Sequence, residues 1–203
     1  MMIKKLVVLL TLLSGVWSMT DKATGISFAP KKGALELFGV GVRKKGPIKV
    51  YSVGMYCTSA LKEKLATISR TADKGKKALA ALRSGAKEEP CAAFLLEMSF
   101  KVGAEKISAA IADSVASRYS GSGEVDSLKN LIFNGVSAKG AATKGTTFLF
   151  DCSAEGIEVA VDGNIQGKVE SPGLSRAFCD VYLDDKCVSP PLLNSCLENC
   201  CAP

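Results

Sequence analysis

The alternation of apolar and polar positions divides the chain into strands, then helices, then strands, then a last helix. Residues 25–29 read as a short strand, and 34–43 and 48–56 as two longer ones. Gly46-Pro47 between them is a turn signal, so the pair predicts a hairpin. The stretch 61–84, rich in Lys and Ala, predicts helices broken near 71–74, and the apolar run 92–100 predicts a strand. In 103–119, Ile107, Ile111 and Val115 recur at i, i+4 and i+8, the period of a helix with one buried face. After Ser120-Gly-Ser-Gly123 a second helix spans 124–133, with Val125, Leu128 and Leu131 or Ile132 inward. Segments 146–151, 156–161 and 164–170 read as short strands, the last two joined by Asp162-Gly163, a strong hairpin signal. Ser171-Pro172 opens a helix striped by Leu174, Phe178 and Val181. Such segregation predicts an α+β domain, an antiparallel sheet carrying helices on one face.

The first residues stand apart from this pattern. In 1–18, Lys4 and Lys5 precede a short apolar run and small residues, which describes a secretory signal peptide. The run is shorter than the roughly 20 residues that a bilayer span needs. An uncleaved anchor or a buried helix is the alternative. One domain, 19–193, and a Cys-rich tail, 194–203, follow. The net charge is +6, of which Lys4 and Lys5 supply two, and the remaining excess is scattered. Without a basic stripe or a base-stacking motif, the chain is not expected to bind nucleic acid.

Eight cysteines occur, at 57, 91, 152, 179, 187, 196, 200 and 201. An even count in an exported chain permits disulfides, though their pairing is not readable from sequence. There is no CxxC pair and no histidine, so neither a zinc site nor another metal or cofactor is expected. Ser-His-Asp and Cys-His catalysis are excluded outright. Acid–base work would fall to Tyr, Lys, Asp or Glu. The segment 140–147, GAATKGTT, is only loosely like a phosphate-binding loop and lacks the lysine after its second glycine.

By strand alternation Leu35, Leu37, Gly39, Gly41 and Arg43 share one face, and Tyr51, Val53 and Met55 line the partner strand. Glycines inside a strand mark a close approach by a ligand or another chain. A guanidinium beside a phenol, next to such a cleared apolar surface, suits a ligand with an apolar body and an anionic or carbonyl head. The plain alternative is that Arg43 is the solvated end of a strand that runs on into Lys44 and Lys45.

The hairpin LELFGVGVRKKGPIKVYSVGMY, the segment KVESPGLSRAFCDVYLDDKCVSP and, less specifically, the helix FKVGAEKISAAIADSVASRY resemble the chalcone isomerase family. The resemblance runs from Gly25 to about Leu193. It implies an open-faced β-sandwich, an antiparallel sheet under a helical layer, with the ligand in the cleft between them. The family's active-site arginine falls on Arg43, and its other active-site tyrosine on Tyr119. The chain departs from the isomerases in two places. Tyr51 stands where they carry a threonine, and Val181-Tyr182 stands where they carry Thr-Met or Ser-Ile to recognise the flavonoid.

An arginine, added tyrosines and an apolar lining resemble instead the family's non-catalytic branch, which binds fatty acids. The resemblance thus implies a binding protein whose site comprises Arg43, Tyr51, Tyr119, Val181 and Tyr182. Arg43 and Tyr51 would hold the carboxylate, and the alkyl chain would lie along Leu37, Val53, Met55 and Phe178. The alternative is a chalcone-flavanone isomerase-type intramolecular lyase in which Arg43 stabilises an oxyanion. The expected partner is a fatty acid or a flavonoid-like molecule, with at most transient membrane contact and a monomeric state. The leader implies the secretory pathway or the exterior, or a plastid reached through a secretory signal.

Overall fold

The computed structural model describes residues 18–88 and 92–203. The signal peptide of the sequence reading, apart from Ser18, and Cys91 lie outside the described residues. Short strands β1 (Met19–Thr20), β2 (Ser27–Phe28) and β3 (Lys31–Lys32) precede the long hairpin of β4 (Leu35–Lys45) and β5 (Ile48–Cys57). Helix α1 (Ser59–Ala66), a 3-10 turn (Ala72–Gly75) and α2 (Lys76–Glu88) lead to β6 (Ala92–Met98) and β7 (Val102–Gly103). Then come α3 (Ala104–Ala116), α4 (Ser122–Ser137), β8 (Ala141–Ala142), β9 (Thr147–Cys152), β10 (Ile157–Val161) and β11 (Asn164–Val169). Helices α5 (Pro172–Leu183) and α6 (Pro190–Cys200) close the chain.

The local signals act where the sequence places them. Gly46 takes a positive φ at the β4–β5 turn, and Asp162-Gly163 does so between β10 and β11, as tight hairpins require. Asp73 and Lys74 also have positive φ, which breaks the helical stretch between α1 and α2. Ser171 and Ser189 each accept a bond from the backbone N–H three residues on, and each precedes a proline, so α5 and α6 start sharply.

The main sheet runs β11-β10-β9-β6-β5-β4-β3, antiparallel throughout. One face carries the principal core. There Phe178 of α5 lies 4.5 Å from the Phe150 ring and 5.7 Å from that of Phe94, while Tyr182 stacks on Phe94 at 4.9 Å. On the other face the N-terminal segment covers only a small cluster of Phe28, Leu37, Tyr56 and Ala93. This is the one-sided α+β architecture expected.

Two expectations about β4 change. The β4–β5 pairing shifts register between Leu37 and Gly39, a bulge that puts one extra residue on β4. Leu37 therefore joins the small cluster on the far face, while Phe38 enters the main core. The strip of alternate residues from Leu35 to Arg43 does not share one face.

The glycine clearance is also occupied. A Cβ on Gly39 would lie 2.5 Å from the Cys196 nitrogen, and one on Gly41 would lie 2.1 Å from that of Leu192. The backbone of α6 rests on the bare strand. From there the Ser195 hydroxyl accepts from the Val40 N–H at 3.1 Å, and Ser189 donates to the Val42 carbonyl at 2.9 Å. These bonds satisfy an otherwise open strand edge. Helix α6 runs unbroken across residue 194, and Cys196, Cys200 and Cys201 are buried.

The disulfide expectation is corrected for the described residues. Cys152, Cys179, Cys187, Cys196, Cys200 and Cys201 are free thiols, all but Cys187 buried. They fill core volume as small hydrophobes.

Candidate functional site

At the register position where β4 meets β5, Arg43 stands opposite Tyr51. The Arg43 Nη1 donates to the Tyr51 hydroxyl at 3.2 Å, and its Nη2 reaches the Ser114 hydroxyl of α3 at 3.4 Å. The guanidinium carbon lies 5.6 Å from the centre of the Tyr51 ring. The Tyr51 hydroxyl also meets that of Tyr182, 3.0 Å away on α5. Three elements, the hairpin, α3 and α5, thus converge on one chain of polar groups at the edge of an aromatic core.

Both tyrosines are fully buried, and Arg43 is half-buried. Burial pushes the Tyr182 hydroxyl well above the ordinary range, so it stays a neutral phenol. Burial works against the charge of Arg43, but the neighbouring Tyr51 and Tyr182 oxygens outweigh it and hold the guanidinium charged. Among the described residues Arg43 forms no salt bridge. It is a half-buried cation whose partners are all neutral hydroxyls.

On its outer side Arg43 lines a cavity of about 330 Å³, walled by Val50, Phe100, Val102, Ile107 and Ala110. On its inner side the space is full, because Tyr51, Val53, Met55, Phe178 and Tyr182 belong to the packed core. The apolar path from Arg43 therefore leads outward along α3. Sequence reading missed this wall and Ser114. Ile107, Ala110 and Ser114, at i, i+3 and i+7, share a helix edge beside the Ile107-Ile111-Val115 stripe. A serine on that edge was the available signal.

The five residues singled out in the sequence separate into two groups. Arg43, Tyr51 and Tyr182 are brought together. Tyr119 is elsewhere: its hydroxyl bonds Ser171 at 3.0 Å and Glu124 at 3.2 Å, bracing the start of α5. Val181 is buried and makes no polar contact with the cluster by its side chain; its carbonyl accepts from the Val188 N–H at 2.9 Å.

The back of the site is tied down by charge. Arg118, just past α3, grips Asp184, just past α5, through two bonds of 2.7 and 2.9 Å. It also donates to the Ser114 carbonyl at 2.7 Å. This fixes α3 and α5 at the depth from which Ser114 and Tyr182 reach Arg43. No group of three or more His, Cys, Asp and Glu residues suited to a metal ion occurs among the described residues.

No curated protein matches the sequence. Among solved structures, the crystal structure of an Arabidopsis thaliana fatty-acid binding protein superposes with a TM-score of 0.73 at 22% identity, covering 91% of this chain and 97% of that one. This likeness establishes a shared fold. The family model described as chalcone isomerase-like matches residues 23–197, from the N-terminal cover of the sheet to the helix seated on its glycines, and the chain belongs to that family.

Proposed function

We propose that the protein binds a fatty acid or a similar apolar carboxylate, with the head group on Arg43 and Tyr51 and the alkyl chain in the outward cavity. One observation carries the reading. Arg43 is a half-buried cation with no carboxylate partner among the described residues, and it sits at the wall of an apolar pocket. A ligand carboxylate would supply the missing charge through charge-assisted bonds, which are stronger than those to neutral hydroxyls. The cavity is at the lower end of the range of about 300–1,000 Å³ typical of small-molecule sites. The fatty-acid binding activity named for the structural relative supports the same ligand class.

Calorimetric titration of delipidated protein with palmitate tests the reading. Wild type binds, and Arg43→Gln weakens binding by about ten- to a hundredfold, the worth of one hydrogen bond to a charged group. Affinity also falls below about pH 5, where the ligand becomes a neutral acid. Equal affinity in wild type and Arg43→Gln overturns the head-group assignment. Chalcone cyclisation above the spontaneous rate by the purified protein would favour the lyase instead.

A further inference from the structure

The mouth of the Arg43 cavity combines exposed apolar groups with unpaired positive charge. Ile48, at the hairpin tip, is 41% exposed and Phe100 is 48% exposed. They are two of the three large hydrophobic residues exposed among those described, the third being Ile165. Both border the cavity. The backbone N–H groups of Ser99 and Phe100 donate to the Val50 carbonyl, which holds Phe100 beside the hairpin.

Lys44, Lys45 and Lys106 border the same cavity, and Lys101 adjoins Phe100. All four are exposed and form no salt bridge among the described residues. Some cations elsewhere are matched, as Arg83 and Lys87 are by Asp180, Arg118 by Asp184 and Lys129 by Glu105, while others such as Lys74, Lys76 and Lys77 also form no salt bridge among the described residues. What sets this face apart is that unmatched lysines surround two exposed apolar tips at the mouth of a cavity.

An apolar wedge ringed by free ammonium groups complements the surface of an anionic bilayer. The tips enter the acyl boundary while the lysines remain among the phosphates, each strengthening attachment to such a surface about fivefold. We propose that this face docks the protein on anionic phospholipid, with the cavity mouth turned to the membrane. The docking stands on the face itself; its purpose, passing a fatty acid between leaflet and Arg43 without exposure to bulk water, rests on the proposed ligand.

Co-sedimentation with vesicles, without added fatty acid, tests it. A chain starting at Ser18 retains every element and both clusters described above and contains no tryptophan, since Trp17 is the sole one in the sequence. It should bind an equimolar mixture of phosphatidylcholine and phosphatidylserine, and not phosphatidylcholine alone. Lys44→Glu/Lys45→Glu/Lys106→Glu should weaken binding by about a hundredfold. The equally charged Lys74→Glu/Lys76→Glu/Lys77→Glu, in the exposed 3-10 turn and first residues of α2, should retain it. In a Phe100→Trp chain the fluorescence should shift to the blue on the mixed vesicles. Indifference to phosphatidylserine, equal loss in both triple variants, or an unshifted tryptophan overturns the proposal. Vesicle binding with no palmitate titration would sink the ligand reading alone, and the converse would sink only the docking.

Discussion

Replacing Gly41 by alanine tests what the strand glycines are for. The added methyl would lie 2.1 Å from the Leu192 nitrogen and 2.6 Å from its Cα, where an unstrained contact needs about 3.5 Å. Both obstacles are backbone, so no rotamer change relieves them, and α6 must withdraw by well over an ångström. Withdrawal strains the bonds from Ser195 to Val40 and from Ser189 to Val42. Overpacking of this kind costs about 1–3 kcal/mol, the upper end applying where backbone blocks relief. A weakened hydrogen bond adds about 1 kcal/mol. Reduced freedom of the unfolded chain returns about 0.5–1 kcal/mol. The net loss is about 3 kcal/mol, equivalent to a fall of about 6–12 °C in Tm for a domain of this size.

Urea and thermal denaturation followed by circular dichroism measure it. Gly123→Ala is the control: this glycine lies in α4, with nothing within 4 Å of an added Cβ. The control should gain about 0.5–1 kcal/mol from helix propensity. A Gly41→Ala protein within about 0.5 kcal/mol of wild type that has lost palmitate binding would refute the reasoning. The glycine would then be clearing space for a ligand rather than for α6.

Further outcomes concern the charged brace, the buried phenols and the thiols. Arg118→Ala leaves Asp184, whose side chain is 11% exposed, without its cation, and should cost about 3 kcal/mol in urea denaturation. Alkaline stability depends on burial of tyrosines. Burial pushes the hydroxyl of Tyr56 up to about 12 and raises that of Tyr182 well above its ordinary range. In the unfolded chain tyrosine titrates near about 10, so above that pH the unfolded state releases protons that the folded state keeps. Stability is therefore full below about pH 10 and falls as the pH rises toward 12, which denaturation midpoints across that range should record. Burial also raises the thiols of Cys152 and Cys196 well above their ordinary range. Alkylation mapped by mass spectrometry should reach half-buried Cys187 in the folded protein, and Cys152 and Cys196 only on unfolding.

Much of the fold was legible because its signals are local. Turn residues at Gly46 and Asp162-Gly163, caps at Ser171 and the stripe Ile107-Ile111-Val115 each act within one or two turns of chain. Arg43 and Tyr51 could be paired for the same reason, since a hairpin sets their register across a short loop.

What the sequence could not decide depended on groups distant along the chain. Alternation assigned Leu37 to the cleft face, but the bulge at Phe38 reversed it, and a single extra residue in a strand leaves no trace in hydrophobicity. Gly39 and Gly41 signalled a close approach correctly. Only the tertiary structure showed that the approaching group is α6, from about 150 residues away, because a missing side chain records space without naming its occupant. Tyr119 bonds Ser171 and Glu124 while Ser114 meets Arg43, for a related reason. Which edge of a helix meets an arginine is set by how α3 packs against the sheet and α5, through contacts such as Arg118 to Asp184. The sequence alone determined the longer elements as far as α5, though not α6, together with the sidedness of the sheet and the arginine–tyrosine pair, all products of short-range stereochemistry. Packing decided which side of that arginine stays open.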